Sequence, residues 1–313
     1  MSKKKEMEKD ASLHNQEITP SAFHVIVREF RKDKLATFSL AVLTIIILTV
    51  FIGSLFFDVE EVMKVNLMDS FLRPGEEGYL LGTDQAGRPL LGQLFIGTRN
   101  SILIGASVTI LTNIIGIIVG LIIGYYGGIV DNIIMRIIDF IQVLPILMLI
   151  IVFVTLVPSY NMVTFVFIMS VFYWVGIARL VRSKALSEGR RDYVSASKTM
   201  GTPSWKIMFR GILPNISSIL IISAILDLAG NMGIEIGLTF LGFGLPPGVP
   251  SLGTLINKAL DPTILRDRMY IWFPASMLVL VLMLSINYAG QALRRASDAK
   301  QRLGSVSYTH LTL

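Results

Sequence analysis

Two carboxylates inside an apolar stretch, Asp227 and Glu235, are the residues of this chain whose positions could carry chemistry. They are eight residues apart, so on a helix they lie on a similar face. A charge at the middle of a bilayer costs ~2.5–3.5 kcal/mol on the insertion scale, and both side chains should therefore face a helix bundle or a watery path. We prefer pathway lining or subunit packing over a proton or cation relay, because no histidine or further carboxylate extends the pair.

A second ionisable pair lies in another apolar stretch. Arg136 and Asp139 are one turn apart, and they could pair with each other or reach the membrane interface. Pro145 follows in the same stretch and predicts a kink, because its ring cannot continue a regular helix. These residues favour a structural role over catalysis.

Motifs for catalysis, metal binding and nucleotide binding are missing from the sequence. The chain has no cysteine, and its three histidines all lie in terminal segments without the spacing of a zinc site. Gly82 and Gly87 have the spacing of a phosphate-binding loop, but Arg88 and Pro89 occupy the positions where such a loop needs Lys and then Ser or Thr. We therefore expect this chain to have no enzyme activity, no metal and no cofactor of its own.

A polar loop with the sequence DYVSASKTMGTPSWKIMFRGILPN, residues 192–215, separates two long apolar stretches. Asp192 is the expected N-cap of a helix over Tyr193–Met200, and Gly201 is the expected left-handed residue that ends it. Pro214 suits the first turn of the next span. A short exposed helix adds nothing to a membrane core, so either it contacts a partner or it is a linker at the membrane surface.

The side chains of this loop suit contact with another molecule. Ser195, Ala196 and Ser197 are small and would permit close approach of a partner. Lys198 and Lys206 could meet an acidic rim or phospholipid headgroups.

The rest of the composition is that of a membrane protein. Hydrophobic residues make up 53% of the 313 residues, charged residues 16%, and the mean hydropathy is +0.65. Stretches of about 20 apolar residues can cross a bilayer, and they predict an all-α integral membrane protein with six transmembrane helices. The predicted spans are Leu35–Phe57, Ser101–Tyr125, Ile133–Val157, Met162–Leu180, Ile212–Leu238 and Tyr270–Leu293.

Basic residues predict the topology. Eight Lys and Arg precede the first span, eight lie between Arg179 and Arg210, and four follow the last span. By the positive-inside rule both termini and the polar loop are cytoplasmic, which requires an even number of spans. This placement accounts for the net charge of +6 without nucleic acid as a partner. The predicted segments are a cytoplasmic segment (1–34), a first transmembrane helix (35–57), an extracytoplasmic loop (58–98), a five-helix core (99–293) with a cytoplasmic loop (181–211), and a cytoplasmic tail (294–313).

The second predicted span carries a glycine at every fourth position. Gly116, Gly120 and Gly124 therefore lie on one helical face, where two backbones can approach closely. This face could pack on another helix of the same chain or on a second membrane subunit.

The polar loop resembles the coupling signature of the inner-membrane permeases of ATP-binding-cassette importers. That signature runs Glu-Ala-Ala, three residues, Gly, nine residues, Ile, any residue and Leu-Pro. Here residues 195–197 occupy the triplet, Gly201 the glycine, Gly211 the Ile position and Leu213-Pro214 the end.

Further motifs narrow the resemblance to one branch of these permeases. The chain contains, in order, LGTDQAGRPLLGQLFIGTRNS, GYYGG at Gly124–Gly128, ARLVR at Ala178–Arg182, EIGLTFLGFGLPP at Glu235–Pro247 and NYAGQALRRASD at Asn287–Asp298. Together they look like the second, C-type permease subunit of the oligopeptide, dipeptide and nickel importers. Arg295 is a departure, because the family usually has Asp there.

This resemblance implies an assembly in a bacterial-type cell membrane. The chain would pair with a homologous second permease in the lipid bilayer, bind two cytoplasmic ATPase subunits that use ATP and Mg, and receive substrate from an extracytoplasmic binding protein. The short helix between the fourth and fifth spans would be the coupling helix, whose movement switches the pathway between inward- and outward-facing states. The residues implied in ATPase coupling are Asp192, Tyr193, Ser195, Ala196, Ser197, Gly201, Trp205 and Pro214, and those expected to line the pathway or pack subunits are Gly116, Gly120, Gly124, Asp227 and Glu235.

Other interpretations stay open at the level of sequence. A stand-alone secondary transporter would be expected to have inverted repeats, broken helices or an ionisable relay. The two halves of this sequence show no repeat. An intramembrane enzyme would need a nucleophile beside a base, and the chain offers no such pair. The substrate could be an oligopeptide, a dipeptide, nickel or another small solute, since all fit the same permease pattern.

Overall fold

The computed structural model describes residues 33–158, 160–246 and 248–309, with side chains as far as Ala296. About 81% of the described residues are helical, and they contain no β-strand beyond an isolated bridge between Thr83 and Pro89. The all-α prediction is confirmed. The predicted cytoplasmic segment 1–34 lies almost wholly outside the described residues.

Twelve α-helices occur in the described part of the chain. In order they are α1 (Lys34–Gly53), α2 (Val59–Val62), α3 (Leu90–Tyr126), α4 (Gly128–Val143), α5 (Ile146–Leu156), α6 (Met162–Glu188), α7 (Asp192–Thr199), α8 (Ser204–Lys206), α9 (Leu213–Phe240), α10 (Leu252–Asn257), α11 (Pro262–Asp267) and α12 (Met269–Thr309). A π-helical segment, Ile207–Ile212, joins α8 to α9. Short 3-10 turns occupy Ser54–Phe56, Leu67–Asp69, Glu76–Gly78 and Lys258–Leu260.

Five helical stretches of the described residues are long and apolar enough to cross a membrane, and the bent pair of α4 and α5 makes a sixth if it is taken as one span. With the pair taken as one span, the number equals the six predicted spans. The continuous stretches are Lys34–Phe56, Leu90–Tyr126, Met162–Glu188, Ser204–Phe240 and Met269–Ala296.

The third span is a broken helix rather than the single kinked helix predicted over Ile133–Val157. The axes of α4 and α5 differ by 82°. Leu144, between them, has extended backbone angles (φ −74°, ψ 142°), which is the conformation that a residue before proline prefers. Backbone without helical hydrogen bonds is tolerated at membrane depth only where protein or a water-filled cavity covers it. Val143, beside the break, is 84% exposed, so the described residues of this chain do not bury it.

The second span begins earlier than predicted. α3 starts at Leu90, so the last residues of the predicted extracytoplasmic loop (58–98, called the outer loop below) are helical. Gln93 and Thr98 on its first turns are buried polar residues. A hydropathy pattern assigns such residues to a loop, but packing inside the protein keeps them helical.

The helices α3 and α6 form the most extensive helix pair of the described chain. A Cβ atom added to Gly116 would lie 2.7 Å from the Ile177 Cβ, and one added to Gly120 would lie 2.6 Å from the Ala178 carbonyl oxygen. At Gly124 the added atom would lie 2.6 Å from the Ala185 Cβ. These separations are shorter than van der Waals contact, so the glycine face packs within the chain.

A second hydrophobic core joins α9, α10 and α12. Met232 of α9, Leu252 of α10 and Leu282 of α12 are fully buried in one hydrophobic cluster. At the other end of α12, Arg295 forms an ion pair of 2.6 Å with Asp33, the N-cap of α1. The first and last spans are thus joined near their shared end.

A buried ion pair fixes the outer loop to the segment after α10. The Lys258 Nζ lies 2.6 Å from the Asp84 Oδ2 and donates to the Gln93 Oε1 at 2.9 Å. The Asp84 Oδ1 accepts from the backbone N–H groups of Ala86 and Arg88, each at 2.9 Å. Burial alone would raise the pKa of Asp84, but the Lys258 ammonium and these backbone donors outweigh it and hold that pKa below its ordinary value.

The glycine packing predicts a clear difference between two single-methyl substitutions. We expect Gly120→Ala to destabilise the protein by about 1–3 kcal/mol, because the added atom overpacks the α3–α6 contact. Gly176→Ala in α6 is the control, because its added Cβ has no atom within 4 Å. That change should be neutral or should stabilise by up to about 1 kcal/mol. Unfolding midpoints in detergent compare the two, and equal midpoints would contradict the packing.

The buried ion pair predicts a non-additive double variant. Lys258→Met should destabilise by about 3–5 kcal/mol, because it leaves the Asp84 carboxylate buried without its counter-ion. Combining it with Asp84→Leu removes the unpaired charge and should recover much of the loss. Unfolding in detergent measures all variants. If Lys258→Met alone has no effect, the pair does not hold the outer loop.

Candidate functional site

The polar loop folds into an exposed helix over Asp192–Thr199, each end of which lies one residue before the predicted end. Asp192 is the first residue of α7, and Arg191 is the N-cap, without a side-chain capping bond. The Asp192 carboxylate therefore lies in the first turn, where the helix dipole favours a negative charge. Gly201 has φ +74° and its N–H donates to the Lys198 carbonyl at 3.0 Å. It is the left-handed residue after the helix, as predicted.

One apolar side chain fastens α7 to the membrane bundle. Val194 is fully buried in a cluster with Leu121 of α3, Val181 of α6 and Ile212 of the π-helical segment. Because these residues belong to three different spanning units, α7 rests on all three. The sequence prediction overlooked Val194, although this β-branched apolar residue directly precedes the small and polar run Ser195–Lys198.

Tyr193 connects the ends of two spans. Its hydroxyl accepts from the Asn215 Nδ2 at 3.0 Å and donates to the Glu188 Oε2 at 3.1 Å. Burial, and then the Glu188 carboxylate, raise the pKa of Tyr193, while the Asn215 amide opposes them. A Cβ atom on Gly211 would lie 3.6 Å from the Tyr193 ring. Tyr193 therefore fixes the start of α7 to the end of α6 and the start of α9.

The basic residue of α7 also holds the helix in place. The Lys198 Nζ lies 4.7 Å from the centre of the Tyr125 ring, near the end of α3, at a distance suited to a cation–π contact. Ser197 was predicted to meet a partner, but its hydroxyl donates to the Tyr193 carbonyl at 2.8 Å. Its hydrogen-bonding capacity is thus used within the helix.

The side of α7 that faces away from the bundle is exposed and carries polar or small residues, and two large apolar side chains are exposed just after the helix. Ser195 and Ala196 are exposed, Met200 is 76% exposed, and Trp205 is 53% exposed. Large exposed apolar side chains on one surface are a sign of a protein or membrane contact. Pro214, another predicted contact, is exposed in the first turn of α9.

Two ion pairs tie α4 to α6, and the sequence prediction missed both. Asp131 forms a two-pronged pair with Arg182, and Asp139 pairs with Arg179. Of the two alternatives predicted for Arg136 and Asp139, mutual pairing is wrong, since Arg179 of α6 takes the Asp139 carboxylate. Both partners lie at least 40 residues away along the chain, so helical spacing alone carries no signal for them.

Asp227 lines a cavity within the membrane-spanning part of the chain. The cavity has a volume of about 450 Å³ and lies between the broken third span, α6 and α9. Asp227 is half-buried there, and its Oδ2 accepts from the Ser223 hydroxyl at 3.3 Å. Asp227 thus faces a cavity bordered by helices of the bundle, and its role in lining a pathway or packing a subunit stays a prediction.

Glu235 has different surroundings. It is fully buried, and its Oε1 accepts from the Thr239 hydroxyl at 3.0 Å. It is not among the residues that line the Asp227 cavity. The two carboxylates therefore do not form one site, and Glu235 packs α9 within the bundle. No group of three potential metal ligands occurs among the residues that the structure describes.

Comparison with known families matches most of the chain. Residues 116–302, which are more than half of the 313, match the family described as “Binding-protein-dependent transport system inner membrane component”. Residues 21–74 match the “N-terminal TM domain of oligopeptide transport permease C”. The two matches together cover the first span and the core from residue 116 onward.

Several relatives are similar over nearly their whole length. The chain is 47% identical to the oligopeptide transport system permease protein OppC of Lactococcus lactis subsp. lactis, over 90% of this chain and 96% of that protein. It is 35% identical to the oligopeptide transport system permease protein AmiD of Streptococcus pneumoniae (88% and 89%), and 33% identical to the dipeptide transport system permease protein DppC of Bacillus subtilis (88% and 85%). The chain therefore belongs to the family of inner membrane components of binding-protein-dependent transport systems.

Proposed function

We propose that this chain is a permease subunit of an ATP-driven peptide importer, and that α7 couples the membrane pathway to separate ATPase subunits. The observation that carries the proposal is the position of α7: its Val194 is buried on three spanning units, and Met200 and Trp205, in the segment just after the helix, are exposed. The relatives support peptides as substrate, because they are named oligopeptide and dipeptide permeases.

The attachment of α7 to three spanning units suits the transmission of a rigid-body movement from α7 to those helices. A force on α7 acts through Val194 on the packed ends of α3, α6 and the fifth span. Tyr193 adds hydrogen bonds to Glu188 and Asn215 on either side of the loop. Closure of an ATPase pair on ATP would thus tilt whole helices and shift the permease between two states.

The remaining parts of the assembly follow from the same proposal. The basic loop and both termini lie in the cytoplasm, where the ATPases bind. The outer loop, fixed by Asp84 and Lys258, lies on the side where a substrate-binding protein docks. A homologous second permease completes the pathway, and ATP and Mg belong to the ATPase subunits.

Gly201 provides a test that separates conformation from bulk. A side chain at Gly201 meets no atom within 4 Å, so a substitution acts through the left-handed backbone (φ +74°). We expect Gly201→Val to lower ATP-dependent peptide uptake about tenfold while ATP hydrolysis continues, because a β-branched residue resists this conformation. Uptake and hydrolysis are measured together in proteoliposomes that contain the whole importer.

Gly201→Asn is the matched control for this test. Asn adopts the left-handed conformation more readily than other side chains, so its uptake should stay closer to that of the unmodified importer. Normal uptake by the Gly201→Val importer, or equal losses for both variants, would count against coupling through the geometry of α7.

A further inference from the structure

The cavity beside Asp227 is walled by three separate elements of the membrane bundle. Gln142 and Ile146 come from the two sides of the break between α4 and α5, Tyr173 and Gly176 from α6, and Asp227 from α9. Its volume of about 450 Å³ falls in the range of small-molecule sites. A broken helix inside a membrane commonly borders a ligand site, because its free backbone groups need polar partners.

Asp227 is the acidic group of this cavity, and it has no counter-ion among the described residues. Its one described hydrogen-bond partner is Ser223. The carboxylates of α4 are different, because Asp131 and Asp139 each pair with an arginine of α6. An uncompensated carboxylate is costly within a bilayer unless it faces water or a ligand. Asp227 is therefore placed to receive a cation that the protein itself does not supply.

The broken third span adds a second preference for positive charge. Gln142, one residue before the end of α4, lines the cavity. The C-terminal end of a helix carries partial negative charge, and ends of this kind coordinate cations in other broken-helix transporters. The residues that line the cavity include no Lys or Arg. Two independent features thus favour a cationic ligand.

We propose that this cavity binds a protonated amino group of the transported peptide during its passage, with Asp227 as the counter-ion. This inference rests on the proposed peptide-import function and deepens it. Ser223, Gln142 and Tyr173 offer hydrogen-bonding groups around the ammonium, and Phe172 and Ile146 offer apolar surface for a neighbouring side chain. Asp227 is only half-buried, so a ligand can reach its carboxylate and leave again, as a transport pathway requires.

The absence of cysteine from the chain permits a direct probe of the cavity charge. Gly176 is the position of choice, because it lines the cavity and an added Cβ meets no atom within 4 Å. The Gly176→Cys variant is assembled with cysteine-free partner subunits. Its thiol is then treated with 2-aminoethyl methanethiosulfonate, which is cationic, or 2-sulfonatoethyl methanethiosulfonate, which is anionic. The ratio of the two reaction rates reports the local charge.

The expected result is a ratio that favours the cationic reagent and that falls about tenfold when Asp227→Asn is added, because a nearby charge shifts local ion concentration by that order. Met68→Cys in the outer loop, where Met68 is 92% exposed, is the control whose ratio should not respond to Asp227→Asn. A ratio at position 176 that Asp227→Asn leaves unchanged would overturn the proposal.

Protection identifies the ligand chemistry. A tripeptide with a free amino terminus should slow the reaction of the Gly176→Cys thiol, and its N-acetylated form should not. A tripeptide that is N-acetylated but carries a lysine side chain tells whether any ammonium serves or only the amino terminus. Equal protection by the fully uncharged peptide, or protection by sodium ions alone, would overturn the assignment to a peptide amine.

Uptake assays distinguish a failure of the proposed cation site from a failure of the proposed import function. If the unmodified importer takes up peptide with ATP and Asp227→Asn lowers the maximal rate about tenfold at saturating loaded binding protein, both stand. If the unmodified importer works and Asp227→Asn transports normally, the site is wrong and the function stands. If the unmodified importer moves no peptide with ATP, the proposed function itself fails.

Discussion

The close approach of α3 to α6 is the packing interaction on which the other features depend. Gly116, Gly120 and Gly124 let the two backbones meet at separations that any side chain would prevent. Without a hydrophobic driving force between helices in lipid, such close packing is what holds a membrane bundle together. The pair joins both functional regions, because α6 forms one wall of the Asp227 cavity and leads directly into α7.

From this pair the mechanical path to α7 is short. Val194 packs on residues of α3, α6 and the π-helical segment, and Lys198 contacts the ring of Tyr125 at the end of α3. The pairs from α4 to Arg179 and Arg182 bring the broken third span into the same unit. A movement of α7 is therefore a movement of the helices that wall the cavity. That connection is the physical basis on which we propose that an external ATPase opens and closes the pathway.

The sequence predicted the features that depend on local pattern. The six spans followed from hydropathy, the glycine face from spacing, and the left-handed Gly201 from its place after a short helix. Features that depend on tertiary contact were missed or misjudged. The sequence offered Arg136, one helical turn away, as a partner for Asp139, because spacing reveals only nearby residues. In the structure the partner of Asp139 is Arg179 of α6. Pro145 predicted a bend but not its size, since an 82° break needs a cavity to accept the freed backbone. The start of α7 was wrong by one residue, because backbone angles rather than residue type decide between Arg191 and Asp192.

The most direct test of the central claim is ATP-dependent peptide uptake by proteoliposomes with and without this chain. The complete assembly contains this permease, its homologous partner, the two ATPase subunits and the binding protein. We predict that it accumulates labelled peptide only when ATP is supplied on the ATPase side, and that omission of this chain abolishes uptake. Uptake by this chain alone, driven by an ion gradient and indifferent to ATP, would contradict the account.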